Sequence, residues 1–378
     1  MIIARIETFP LRIPFRSAPG AVGSLLVRVT TDEGRQGWGE AFGFEAVPVT
    51  RQAVEELVAP LCVGRDAAAV TSLMREVQRK LHVFGRGGIV MHALSAVDTA
   101  LWDIAGKAAG VPLHRLLGAG TDAGDGHDAD AGTSAGSGDT DGPVRDGSLA
   151  CYASLDPYGD PALVRAAVRR ALDAGFRAVK LHERDPAVVY AARDEAGSDV
   201  DLMLDVNCAW TYRQTLSVAA ELSDTSLKWL EEPVWPPEDY DHLTRLREDS
   251  PIPLAAGENA STLLEFGRLM SGAVDFVQPS PAKMGGVTEL RKVFGLAAGR
   301  GVTVMPHTFY HGPGLLAAIG VTAGLGTADS MIEWRFTDLA AHVYGDALVP
   351  AGGRIRVPPG PGLGIDPDPG VLRAYRAG

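Results

Sequence analysis

Three short strand-like segments, each ending in a carboxylate, constrain this chain more than any other feature. "LMLDVN" ends around Asp205, "LKWLEEP" around Glu231 and "PLAAGEN" around Glu258. Successive acids are 26 and 27 residues apart, the length of one strand, one helix and two loops. Parallel strands joined by such units lie side by side, so acids at their C-terminal ends converge. Carboxylates crowded together repel one another, and a hard divalent cation relieves that. Mg²⁺ suits the task, because it prefers oxygen ligands and keeps positions for water or substrate. The pattern predicts a metal-centred site at the mouth of a β/α barrel.

The surrounding chain keeps the same rhythm. "SLACYASL", "AVKLHE", "DLMLDVN", "LKWLEEP", "PLAAGEN", "DFVQPS", "TVMPH" and "SMIEWR" are eight strand-like segments, and helical patterns alternate with them. Such alternation implies parallel strands with right-handed crossovers, and eight of them close a barrel. The expected fold class is α/β, a modified TIM-type (β/α) barrel over residues 148–348.

The first third reads differently. "IARIETFPLRIPF" and "SLLVRVTTDEGRQGWGEA" alternate as strands. From about Val49 to Leu117 apolar residues recur at helical spacing. Residues 1–117 therefore form an α+β capping domain. The Gly/Pro-rich loop Arg16–Gly23 could close over a pocket, with Arg16 a candidate substrate contact. Residues 118–147 are Gly, Asp, Ala, Ser and Thr with almost nothing to bury, the composition of a flexible linker or insertion. The tail 349–378, with "GGRIRVPPGPGLGI", is expected to run back over the capping domain.

Composition narrows the function classes. A net charge of −12 argues against non-specific binding to nucleic acid or anionic membrane. Cys62, Cys151 and Cys208 are too scattered for a disulfide framework or zinc cluster. Met1 leads straight into a strand pattern without a basic and apolar leader. No apolar run reaches the roughly 20 residues that span a bilayer. A cytoplasmic protein is expected.

Polar residues recur where barrel enzymes keep their chemistry. Lys180 and His182 are two apart on one strand and share a face. Asp205 is followed by Asn207; then come Glu231, Glu258, Ser280, His307 and Glu333. Each has a plainer reading, as a surface lysine, a satisfied core histidine or a loop contact. Their recurrence on consecutive strands favours a shared site. A proton beside a carboxylate is very weakly acidic. Binding that carboxylate to Mg²⁺ stabilises the enediolate left by proton removal, and a base must then reach the carbon.

With these motifs in order, the sequence resembles the enolase superfamily, in its mandelate racemase/muconate lactonizing branch. "LLVRVTTDEGRQGWGEA" and "LSAVDTALWDIAGKAAGVPLHRLLG" look like the branch's capping domain. "VKLH", "LDVN", "WLEEP", "AAGEN", "QPSPAKMGG" and "PHTF" look like its successive barrel strands. "PPGPGLGI" is similar to its return segment. The resemblance makes Asp205, Glu231 and Glu258 the Mg²⁺ ligands and Lys180 the first lysine of a Lys-x-Lys motif. It makes His307 the seventh-strand histidine and Glu333 the acid that hydrogen-bonds the substrate carboxylate. It also implies a homo-oligomer.

Two positions depart from the branch. His182 stands where the second lysine, often the base, is usual. Ser280 stands where an aspartate pairs with the histidine, or where a lysine lies. Imidazole can act as a base with a different reach. Without a carboxylate partner His307 is less firmly oriented, yet it can still deliver a proton. The expectation is Mg²⁺-dependent removal of the proton α to a carboxylate, foremost by an acid-sugar dehydratase giving a 2-keto-3-deoxy acid. Lys180 and His182 both stand as base candidates, with Asn207 and Ser280 as substrate contacts. A racemase/epimerase or a cycloisomerase on a hydroxy acid or sugar lactone is the alternative. A barrel that has lost its chemistry and only binds a ligand is the reading from another class.

Overall fold

The computed structural model describes residues 1–118 and 142–377. Most of the expected linker 118–147 lies outside the described residues. The chain opens with three antiparallel strands, β1 (Ile3–Pro14), β2 (Ala21–Thr31) and β3 (Gln36–Ala41). The β1–β2 hairpin zips further than the sequence suggests. Gly23 pairs with Arg12 and Ala21 with Pro14, so the connecting turn is only 15–20. Main-chain pairing needs no particular side chain, which is why a glycine-rich stretch could extend the strand.

Helices α1 (47–62), α2 (Val70–Lys80), α3 (Gly88–Ala109) and α4 (Leu113–Gly118) follow. The long α3 lies directly on β3, and the sequence "GWGE" explains how. A Cβ at Gly37 or Gly39 would collide with the carbonyl oxygens of Ala100 and Ala96 in α3. Trp38, between them, faces the other way and packs on Phe9 at 5.1 Å.

Eight parallel strands make the second unit: β4 (Ser148–Ser154), β5 (Ala178–Leu181), β6 (Asp201–Asp205), β7 (Leu227–Glu231), β8 (Leu254–Ala256), β9 (Phe276–Val277), β10 (Thr303–Val304) and β11 (Ile332–Arg335). They lie in chain order, and β11 returns beside β4. At the β10–β11 seam, the Thr308 hydroxyl donates to the Glu333 carbonyl at 2.5 Å. The strands are joined by α5 (Pro161–Asp173), α6 (Pro186–Ala196), α7 (Tyr212–Glu221), α8 (Tyr240–Asp249), α9 (Leu263–Arg268), α10 (Gly286–Ala298) and α11 (Pro313–Leu325). Strand alternation sorts the interior into layers. Tyr152, Ala178, Met203, Trp229 and Met331 fill a lower apolar plug. Two residues further along the same strands come Ser154, Lys180, Asp205, Glu231 and Glu333.

Helix starts show how the two units are joined. Asp160, Asp185, Thr211, Asp239 and Thr262 cap α5 to α9 from their own chain positions. Helices α10 and α11 start at Gly285 and Gly312 and lack such caps. The first unit supplies them. Asp98 of α3 accepts from the Thr288 N–H at 2.9 Å, and Glu40 of β3 accepts from the Gly314 N–H at 3.0 Å. Glu40 also accepts from the Ser24 hydroxyl at 2.5 Å. Each carboxylate satisfies an orphan N–H at a helix N-terminus. After β11, strand β12 (Arg354–Arg356) pairs antiparallel with β4. The last helix, α12 (Pro369–Ala374), then brings the Tyr375 carbonyl to the Arg12 N–H at 2.9 Å.

Burial carries a measurable cost at this seam. It raises the Glu40 carboxyl to about 7, against the hydrogen bonds from Ser24 and Gly314. The folded state thus binds this proton more tightly than the unfolded state does. The stability it contributes is complete below the ordinary carboxyl range and is lost as pH rises through 7. Between pH 5.5 and pH 8 the expected loss from Glu40 is on the order of 2 kcal/mol. Urea unfolding of Glu40→Gln should show a correspondingly flatter pH dependence. An equal slope in the two proteins would sink the assignment.

Candidate active site

Lys180 is the hub of the polar layer. It is fully buried, with Nζ 2.7 Å from Glu231 Oε1, 2.9 Å from Glu333 Oε1 and 3.2 Å from Asp205 Oδ2. Burial alone would depress its pKa. The charges of Glu231, Glu333 and Asp205 outweigh burial and hold it well above the ordinary lysine range. The plug orients Glu231 from below, because Trp229 Nε1 donates to its other oxygen at 2.9 Å. Glu333 is fixed by the Thr308 N–H, which donates to Oε2 at 2.9 Å.

Asp205, Glu231 and Glu258 come together, with one oxygen of each within 4.8 Å of the others. Asp205, Glu231 and Glu333 crowd one buried ammonium, and Glu258 adds a fourth carboxylate beside His307. Burying that much like charge is costly unless more positive charge joins it. A hard divalent cation fits such an all-oxygen donor set. The acids feel their neighbours unequally. Burial raises all three, but Lys180 and His182 pull Asp205 down, and His307 and Lys283 pull Glu258 down. For Glu231 burial prevails and its pKa is raised.

Two histidines flank the acids. His182 Nδ1 lies 2.5 Å from the Leu155 carbonyl oxygen, which can only accept, so that nitrogen carries the hydrogen. Its Nε2 faces Asp205 Oδ2 at 3.3 Å; burial lowers the His182 pKa, but the hydrogen bond to Asp205 and its charge outweigh burial and raise it. His307 Nε2 is 2.8 Å from Glu258 Oε2, and its buried Nδ1 has no hydrogen-bond partner among the described residues. Ser280 does not reach that nitrogen. Its hydroxyl lies 3.1 Å from the Tyr310 hydroxyl, which in turn donates to the His307 carbonyl at 3.0 Å.

A cleft of about 810 Å³ opens above these groups, with His182, Asp205, Asn207, Glu258 and His307 in its wall. Five sequence candidates sit elsewhere, two of them, Glu231 and Glu333, fully buried below the wall. Lys180 lies beneath the cleft, fully buried. Ser280 is buried behind His307. Arg16 is held away by the carbonyls of Leu339 and Ala340, at 2.8 and 3.3 Å. Sequence reasoning missed other parts of the wall. Lys283 is there, 3.9 Å from Glu258 and over the Phe42 ring at 5.0 Å. So are Glu183, which accepts from the N–H groups of Tyr158 and Gly159, and Arg335. The period-two alternation from Glu333 was a signal for Arg335.

Two family models match this chain. The mandelate racemase/muconate lactonizing enzyme N-terminal domain covers residues 2–118, and the enolase C-terminal domain-like model covers 163–371. The chain belongs to the mandelate racemase/muconate lactonizing enzyme family. As a member of this branch of the enolase superfamily it is an enzyme, a lyase or an isomerase. It is 30% identical to a D-galactarolactone cycloisomerase from Agrobacterium fabrum, over 97% of this chain and 95% of that one. It is 33% identical to a D-galactonate dehydratase family member from Catenulispora acidiphila, over 88% and 78%. The solved 3,6-anhydro-D-galactonate cycloisomerase from Zobellia galactanivorans superposes with a TM-score of 0.82 at 29% identity, covering both chains fully. Among the described residues, no helix of this family member is long and apolar enough to cross a membrane.

Proposed function

We propose that this enzyme is a Mg²⁺-dependent acid-sugar dehydratase. The observation that carries the proposal is the convergence of three acid oxygens between two histidines that both face the cleft. Asp205, Glu231 and Glu258 would hold the ion, and the ion, when bound, anchors the substrate carboxylate and stabilises charge that builds on it. Lys180 and Glu333 form the floor beneath that carboxylate. Of the two base candidates, His182 lines the cleft and Lys180 does not, so His182 Nε2 takes the proton from C2. The Leu155 carbonyl holds the hydrogen on Nδ1, so Nε2 would be the basic nitrogen once Asp205 turns to the ion. His307 gives a proton to the departing 3-hydroxyl, and the enol product settles as a 2-keto-3-deoxy acid. The partnerless Nδ1 of His307 suits a single proton delivery better than the reversible two-base work of an epimerase.

A cycloisomerase is the second reading, favoured by the names of the Agrobacterium and Zobellia relatives. Both readings are tested by incubating the purified enzyme with Mg²⁺ and a library of sugar acids and sugar lactones in D₂O. Mass spectrometry reads the products. Loss of one water with deuterium uptake is expected for one acid. Isomerisation of a lactone without water loss would move the assignment to cycloisomerase. Absence of any deuterium uptake would overturn proton abstraction itself.

A further inference from the structure

The top of the barrel carries a cation that the chemistry above does not use. Met331, just before β11, and Glu333 and Arg335 on it alternate and face the interior. At roughly 3.3 Å per residue, Arg335 stands about 7 Å nearer the mouth than Glu333. It is only 7% exposed, yet it lines the cleft. The Phe309 ring lies 4.1 Å from its guanidinium carbon and fixes its plane, leaving the edges open. One edge donates to Asp156, from Nη2 to Oδ1 at 3.2 Å. The buried Nε has no hydrogen-bond partner among the described residues.

A guanidinium offers five N–H groups in a planar fork matched to a carboxylate. A pair that served only to tie β11 to the loop after β4 would be expected to use that fork; this one makes a single contact. The cleft's other acids are committed. Glu183 accepts from Tyr158 and Gly159, Asp185 caps α6, and Asp205 and Glu258 belong to the triad. A buried cation with an unfilled donor is costly until something fills it.

We propose that Arg335 grips a second carboxylate at the far end of the substrate, which makes this enzyme selective for sugar diacids over monoacids. The proposal rests on the reading that a first carboxylate sits at the acid triad. A neutral hydroxymethyl terminus can take one hydrogen bond from Arg335 but cannot meet its charge or its fork.

The test uses the Mg²⁺-loaded enzyme, Arg335→Gln and Arg335→Lys. The probes are five- and six-carbon sugar diacids and their matching monoacids, galactarate and galactonate among them. For the wild type, kcat/KM on the accepted diacid should exceed that on its monoacid by at least about 100-fold. Arg335→Gln should shrink the ratio to within about 3-fold, and Arg335→Lys should recover part of it. An unchanged ratio in Arg335→Gln would mean a structural role and overturn the proposal, as would a wild-type preference for a monoacid. Thermal shift with the same probes separates this from the reaction assignment. If no probe is turned over, a diacid-specific shift in the wild type that Arg335→Gln loses still supports the clamp. No diacid-specific shift overturns it.

Discussion

Replacing Glu231 by Gln is expected to lower turnover by at least about 1,000-fold and to weaken Mg²⁺ binding with it. The substitution keeps the shape and removes one charge from the triad. It also meets a local conflict. Both neighbours of the Glu231 carboxylate are donors, Lys180 Nζ at 2.7 Å and Trp229 Nε1 at 2.9 Å. An amide can accept from one of them only, and its own N–H groups then face the other. Buried donors left without acceptors cost about 1–3 kcal/mol each, so the variant should also unfold at lower temperature. Circular dichroism at assay temperature establishes that the protein remains folded. Calorimetric titration with Mg²⁺ and the D₂O assay then report the loss. Mg²⁺-dependent turnover within about 10-fold of the wild type would place the reacting centre elsewhere.

The barrel was legible because its signal is local. Every strand segment read from the sequence is a strand in the structure, since each is a short apolar run between helical patterns. The convergence of Asp205, Glu231 and Glu258 follows from the same regularity. The joint between the two units was not legible. Asp98 reaches a helix start 190 residues away and Glu40 one 274 residues away, and no local pattern encodes such a partner. Both read as ordinary acids in a helix and a strand.

The cleft wall divides along the same line. Arg335 lies two residues beyond Glu333 on one strand, so alternation puts it on the same face, a signal that the sequence reading left unused. Lys283 follows a proline and a tight turn in which its N–H donates to the Ser280 carbonyl at 2.9 Å. Spacing along the chain says nothing about where such a turn aims a side chain. Arg16 failed as a cleft residue for the opposite reason. The hairpin closes tightly, and the carbonyls of Leu339 and Ala340, more than 300 residues distant, take its guanidinium.

His182→Asn carries the second large expectation, a fall of about 100- to 10,000-fold in α-proton exchange. Asparagine can still donate to the Leu155 carbonyl, but it has no basic nitrogen to set where Nε2 stands. Lys180 remains beneath the cleft, charged and held by three carboxylates, and offers no lone pair to replace it. Mg²⁺ affinity should change little by comparison, because the three acids are untouched. If Lys180 were the base, exchange would survive in His182→Asn nearly intact, and that outcome would sink the assignment. His307→Asn gives the complementary result. With His182 in place the α-proton should still exchange with solvent deuterium, while loss of the 3-hydroxyl slows because no group delivers its proton. Exchange without dehydration in one variant, and neither in the other, is the signature of two histidines acting in sequence on one substrate.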